Sequence, residues 1–212
     1  PLRNTQSVAK LLELGELTPL AVHFEDADED GTIDIIAGLQ VSSSIYELSI
    51  ISLTGNITRT GLMMYCPGNG CFDLDNKTLV YLNENRTISF YDSQKQKLTA
   101  TGAKSSSNPV LLETKNGTFI IFTNEENGTL TRLDMKTLTS EPEVEEVKNA
   151  RNLIAGDLLK DGLDELVFID EEGKIGTYNP ETKMVVIVRE GHNPQLEDMD
   201  GDGKMDIIFF DE

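Results

Sequence analysis

Apolar residues along this chain come in short runs that stop at turn residues, and the runs are rich in β-branched and aromatic side chains. Ile35-Ile36-Ala37, Leu166-Val167-Phe168-Ile169 and Ile207-Ile208-Phe209-Phe210 each read as a strand. Tyr46 to Leu53 and Ile57 to Tyr65 predict a hairpin around Thr54-Gly55-Asn56. Phe119 to Thr123 and Leu130 to Leu133 predict another around Asn127-Gly128, since Asn-Gly favours the positive-φ turns that join antiparallel strands. Glu172-Gly173 and Asn179-Pro180 mark two further turns. Val8 to Leu17 reads as a helix through Val8, Leu11, Leu12 and Leu14, or equally as a strand with a turn at Gly15. Nothing else has a 3.6-residue period, which excludes a helical array. No apolar run approaches the roughly 18–20 residues that a membrane-spanning helix needs.

Three of these strands follow an acidic loop of one pattern. The loops begin at Asp26, Asp157 and Asp198. Each has acids at positions 1, 5 and 9, Gly at 6 and an apolar pair at 10 and 11. The outer two add Asp at position 3, where the middle loop has Leu159. A hard cation such as Ca²⁺ takes six to eight oxygens at about 2.3–2.6 Å, and alternate side chains of a tight loop converge on one point. Gly at position 6 permits the sharp turn, and the carbonyl of position 7 supplies a further oxygen. The candidate ligands are therefore Asp26, Asp28, Asp30, Thr32 and Asp34 in the first loop. They are Asp157, Asp161, Leu163 and Glu165 in the middle loop, and Asp198, Asp200, Asp202, Lys204 and Asp206 in the last. A helix–loop–helix calcium site would need Glu at position 12. That place holds Ala37, Phe168 and Phe209, so the loops belong in β-hairpins. Asp and Gly are also ordinary turn residues. The bland alternative is an acidic turn without metal, and repetition argues against it.

The loops recur at intervals of 131 and 41 residues, and the longer interval is close to three shorter ones. Two degenerate copies are expected between them, at Phe72–Leu82 and Val110–Phe122. A period of about 40–45 residues filled with short strands is the mark of a β-propeller, whose four-stranded blades cannot bury their faces alone. The expected fold is all-β, a single propeller region over 1–212 forming an incomplete ring of about four to five blades. The approximate repeats are 18–60, 61–105, 106–150, 151–190 and a truncated 191–212. The chain reads as a piece of a longer protein, with the ring closed by the rest of that protein or by a second chain.

Ala155-Gly156-Asp157 leading into Asp161-Gly162-Leu-Asp164-Glu165-Leu-Val resembles the FG-GAP repeat family, also called VCBS-like repeats, as do the Asp26 and Asp198 loops. The family includes the integrin alpha-subunit propeller and the ectodomain of T-cell immunomodulatory protein. The resemblance implies a seven- or eight-bladed propeller with calcium in the hairpin between a blade's first two strands. The Phe-Gly…Gly-Ala-Pro signature of integrin repeats is absent.

Composition sharpens the picture. Lys plus Arg is 18 and Asp plus Glu is 37, a formal net charge of −19. Such a chain is repelled by nucleic acid and by anionic bilayers. Eleven of the 37 acids sit at loop ligand positions, so much of the excess is focused. Apolar residues make up 38% of the chain, in patterned runs, which excludes a disordered polymer. Sequons stand at Asn56, Asn76, Asn85, Asn116 and Asn127, although Asn116 and Asn127 also suit turns. Cys66-Pro-Gly-Asn-Gly-Cys71 suits a local disulfide across a tight turn, against two free thiols. No second Cys or His pair supports zinc. Millimolar calcium, a disulfide and sequons all favour an extracellular or secretory-lumen setting, such as the ectodomain of a single-pass membrane protein.

The histidines, His23 in the strand entering the first loop and His192 before Asn193-Pro194, lack partners in sequence for catalysis. No nucleophile elbow, phosphate loop or metalloprotease pair is present. The expected function is non-catalytic, a calcium-stabilised propeller that binds a protein or glycan partner. The alternatives are an architectural subunit of a surface assembly and a propeller lyase or hydrolase.

Overall fold

The computed structural model describes residues 19–25, 32–52, 56–66, 72–75, 78–92 and 97–211, apart from the side chains of 19–25 and Asp75. All regular structure among them is β. The first sheet comprises β1 (Pro19–Glu25), β2 (Asp34–Gln40), β3 (Ile45–Ile51) and β4 (Ile57–Tyr65). The second holds β5 (Phe72–Asp75), β6 (Thr78–Leu82), β7 (Thr87–Asp92) and β8 (Lys97–Lys104). The third holds β9 (Val110–Thr114), β10 (Gly117–Thr123), β11 (Thr129–Leu133) and β12 (Ser140–Lys148). The fourth holds β13 (Arg151–Gly156), β14 (Glu165–Ile169), β15 (Lys174–Asn179) and β16 (Met184–Glu190). The fifth has two strands, β17 (His192–Glu197) and β18 (Asp206–Phe210). Each four-stranded sheet is an antiparallel meander in chain order. The first strands β5, β9, β13 and β17 neighbour one another in succession, so the sheets are arrayed in sequence order as blades of an incomplete propeller.

The second strand of each sheet explains why the apolar runs are continuous. A strand with a sheet on either face must be apolar at every position. Leu79 and Tyr81 face the first sheet while Val80 and Leu82 face the third. Ile120 and Phe122 pack on the second sheet and Ile121 on the fourth. Leu166 and Phe168 pack on the third sheet, Val167 and Ile169 on the fifth. Each such fully buried side chain contributes roughly 1.5–3 kcal/mol. The core is therefore a row of sheet-to-sheet layers.

β4 continues to Tyr65, past the repeat boundary set at residue 60, because its last residues pair with β3 and bury Met64 against the second sheet. The Val8–Leu17 segment lies outside the described residues.

Sheets one, four and five connect their first two strands through eight residues each, 26–33, 157–164 and 198–205. The second and third sheets use two, 76–77 and 115–116, at the places of the two degenerate copies. The acidic loops are thus insertions at one structural position.

Candidate cation loops

The last loop is built on its own backbone amides. Asp198 accepts from Gly201 N at 2.8 Å with one oxygen and from Gly203 N at 2.9 Å with the other. Asp200 accepts from Asp202 N at 3.0 Å, and Asp202 from Lys204 N at 2.8 Å. Asp206, the first residue of β18, accepts from Met199 N at 3.1 Å. The chain curls around its acids in Asx turns, with Gly201 and Gly203 at φ 77° and 83°. The outcome is convergence: Asp198, Asp200 and Asp206 each offer an oxygen, all within 4.8 Å of one another. Among the described residues, no other trio of acids, histidines or cysteines does this. Hard oxygen donors at this spacing suit a hard divalent cation.

The middle loop repeats the same scaffold. Asp157 accepts from Gly162 N at 2.8 Å, Asp161 from Leu163 N at 3.1 Å, and Glu165 from Leu158 N at 3.0 Å. These are the position 1-to-6, 5-to-7 and 9-to-2 bonds of the last loop. Two details differ. Leu159 points a 58% exposed apolar side chain where Asp200 stands. Glu165 is buried, and its second oxygen accepts from Asn179 Nδ2 at 2.7 Å. Burial pushes the Glu165 carboxyl up, and the Leu158 amide partly offsets this. Its three acids do not converge.

The two loops touch. Lys160, held at φ 58° where the last loop has Gly201, donates its ammonium hydrogen to the Asp202 carbonyl. A Cβ on Gly203 would lie 2.5 Å from Lys160 Nζ. Met205 N donates to the Asp157 carbonyl at 3.4 Å. On the other side, Asp164 accepts from Glu113 N at 2.8 Å, pinning the middle loop to β9. Burial raises the Asp164 pKa, and nearby Glu113, Asp73 and Asp157 add to the effect.

Of the first loop, Thr32 is exposed and Asp34 is buried at the start of β2. Asp26, Asp28 and Asp30 lie outside the described residues. The sequon residues Asn56, Asn85, Asn116 and Asn127 are exposed. Asn76 lies outside the described residues, as do Cys71 and the His23 side chain. Cys66 is buried against the second sheet. His192 is exposed and stacks on Phe210 with ring centroids 5.7 Å apart.

Sequence reasoning passed over one repeated feature. Asn152 and Asn193 adopt φ of 52° and 50° at bulges near the start of β13 and β17, at the ends away from the acidic loops. With Asn108 they line a cavity of about 200 Å³. Asn tolerates the left-handed region better than most residues. The signal was an Asn near the start of three successive first strands, weak because Asn is common in turns.

By sequence no family description and no curated protein matches this chain. By fold it is similar to TolB from Acinetobacter baumannii, a β-propeller, at TM-score 0.57 and 14% identity over 84% of this chain and 46% of that one. It is similar to the computationally designed Ika8 protein at TM-score 0.49 and 14% identity, covering 91% of this chain and 71% of that one. A structural genomics protein of unknown function from Bacteroides thetaiotaomicron aligns at TM-score 0.48 and 9% identity, over 73% of this chain and 44% of that one. The likeness to TolB supports the fold and nothing finer. The chain spans less than half the length of TolB and of the Bacteroides protein.

Proposed function

We propose that this chain is part of an extracellular, calcium-stabilised β-propeller of the FG-GAP or VCBS type that binds a protein or glycan partner. The observation that carries this reading is the convergence of Asp198, Asp200 and Asp206 within 4.8 Å in a connection between the first two strands of a sheet. Carboxylates this close repel one another unless a cation sits among them. Two unit charges about 4 Å apart repel by roughly 1 kcal/mol in water and about 4 kcal/mol near a protein surface. Calcium in this reading is structural. Asp198, Asp200, Asp202 and Asp206 hold it with the Lys204 carbonyl, and Asp26, Asp28, Asp30 and Asp34 do the same with the Thr32 carbonyl. The middle set of Asp157, Asp161, Glu165 and the Leu163 carbonyl binds more weakly, because Leu159 removes a ligand.

The remaining features follow the same setting. Cys66 and Cys71 form a local disulfide, and the exposed sequons carry glycans. Calorimetric titration with Ca²⁺, paired with thermal unfolding with and without chelator, tests the reading. It expects a calcium-dependent rise in the unfolding midpoint that the fourfold change of Asp198, Asp200, Asp202 and Asp206 to Asn abolishes. Absence of both heat and thermal shift overturns it.

A further inference from the structure

Asn108, Asn152 and Asn193 stand at intervals of 44 and 41 residues, the spacing of the sheets themselves. Asn152 and Asn193 each lie five residues before the first Asp of the acidic loop that follows. Each is the second residue of its strand, and Asn108 stands two residues before β9. The repeat thus sets a carboxamide at the same end of three successive first strands, away from the acidic loops. These strands are neighbours, with β13 in contact with both β9 and β17.

Two of the three residues hold a costly conformation. Asn152 and Asn193 have φ of 52° and 50°, each inside a shift of strand register. A non-glycine residue rarely sits there, and such strain persists only where the surrounding structure maintains it. Asn108 Nδ2 donates to the Leu153 carbonyl at 2.9 Å, which joins the third sheet to the fourth. Among the described residues the Asn152 carboxamide has no hydrogen-bond partner.

These carboxamides, with that of Gln195, line one cavity. Leu153, Ile154 and Pro194 complete its lining, and Leu153 and Pro194 are buried. No charged side chain among the described residues lines it, in a chain whose residues are 26% charged. An anion finds no cation there, and a cation finds no carboxylate. A carboxamide offers one acceptor oxygen and two N–H donors, and a hydroxyl both donates and accepts. Neighbouring hydroxyls of a polyol therefore match neighbouring carboxamides, and the apolar residues suit the C–H face of its ring. The cavity of about 200 Å³ holds about six or seven waters at roughly 30 Å³ each, and is smaller than the roughly 300–1,000 Å³ of drug-sized sites. That is room for one small ring.

We infer that this cavity is a binding site for one neutral sugar ring, taken free or as the end of a glycan. The inference deepens the partner reading above, choosing glycan over protein, and rests on it for that partner. It does not rest on calcium, because the cavity and the acidic loops lie at opposite ends of the first strands.

The probes are glucose, galactose, mannose and N-acetylglucosamine, each beside its uronate and amino-sugar counterparts. They are titrated into the isotope-labelled 212-residue chain, in calcium and in chelator, while carboxamide and backbone amide resonances are followed by NMR. The expected result is saturable shifts centred on Asn108, Asn152 and Asn193 with at least one neutral sugar. Its charged counterparts bind about tenfold more weakly, since the cavity offers a buried charge no partner. Asn152→Gly and Asn152→Asp both tolerate the positive φ, and both remove the N–H donors. Each keeps its unfolding midpoint and weakens binding by about tenfold. A glycoprotein whose glycans end in the same sugar separates the two sources. Binding that the free sugar competes away assigns the site to a glycan end, and binding of the free sugar alone assigns it to the small molecule. Three results overturn the inference: no neutral sugar shifts these carboxamides in either condition, the charged counterparts bind as well, or N152G and N152D leave binding unchanged. Sugar binding with a silent calcium titration overturns the metal reading alone. Calcium binding without sugar binding overturns this site alone.

Discussion

The Tyr178 hydroxyl donates to Glu143 Oε1 at 2.7 Å, joining β15 of the fourth sheet to β12 of the third. The Lys183 ammonium binds the same oxygen, and the Arg132 guanidinium lies 3.6 Å from the other. The Glu143 side chain is 5% exposed, so this is a charge buried between two sheets with its partners supplied by both. Sheets that meet mainly through apolar faces can slide, and a buried carboxylate bound from several directions fixes their register.

Tyr178→Phe keeps the ring and removes one bond to that carboxylate. A hydrogen bond to a charged group contributes about 1.5–3 kcal/mol net. Chemical denaturation of Y178F is expected to show a loss of about 2 kcal/mol with an unchanged slope. A loss under about 0.5 kcal/mol would mean that Lys183 and Arg132 satisfy Glu143 without the phenol.

Alkaline pH acts on the same pair. Burial, then the bond to Glu143, raise the Tyr178 pKa well above the usual tyrosine value. A raised folded pKa means that the stabilisation is fully present below the unfolded value of about 10, and is lost as pH rises from there toward the folded pKa. The unfolding midpoint is expected to fall above about pH 10 in the native chain, and to fall less steeply in Y178F. Parallel slopes in the two proteins would contradict this.

Gly176 stands opposite Phe168 in the β14–β15 register. A Cβ there would lie 2.5 Å from Phe168 Cζ and 2.7 Å from Cε2. Phe168 is 0% exposed and packed in the cluster between the third and fourth sheets. Gly176→Ala is therefore expected to cost about 1–3 kcal/mol, as overpacked cores do, measured by urea unfolding.

Leu159→Asp tests what limits the middle loop. The substitution places the missing acid at position 3 of a loop that already shares the hydrogen-bonded scaffold of the last one. Leu159 is exposed, so its removal costs the core nothing. Calorimetry is expected to show tighter calcium binding by one further site than in the native chain. An unchanged stoichiometry would place the limit on Glu165, whose second oxygen is held by Asn179.

Much of the architecture was legible along the chain because blades are local. Each four-stranded sheet is a meander of neighbouring segments, so run length, turn residues and loop spacing carried the strands and the array. Ile120-Ile121-Phe122 could be placed in a strand, yet the run alone does not say which residue faces which sheet. The approximate repeat boundary at residue 60 cuts through the strand Ile57–Tyr65 that the apolar pattern had marked, because it followed the loop spacing and not the strands.

The amino-acid order by itself determined the element types, the acidic loops and their place between strands, since turn chemistry and apolar periodicity act over a few residues. Tertiary structure decided the rest. It brought Asp198, Asp200 and Asp206 to one point while leaving Asp157, Asp161 and Glu165 apart. It set Lys160 over the neighbouring loop and pinned Asp164 to Glu113. The physical reason is that convergence, burial and exposure depend on which distant segments pack together, and no local pattern encodes that.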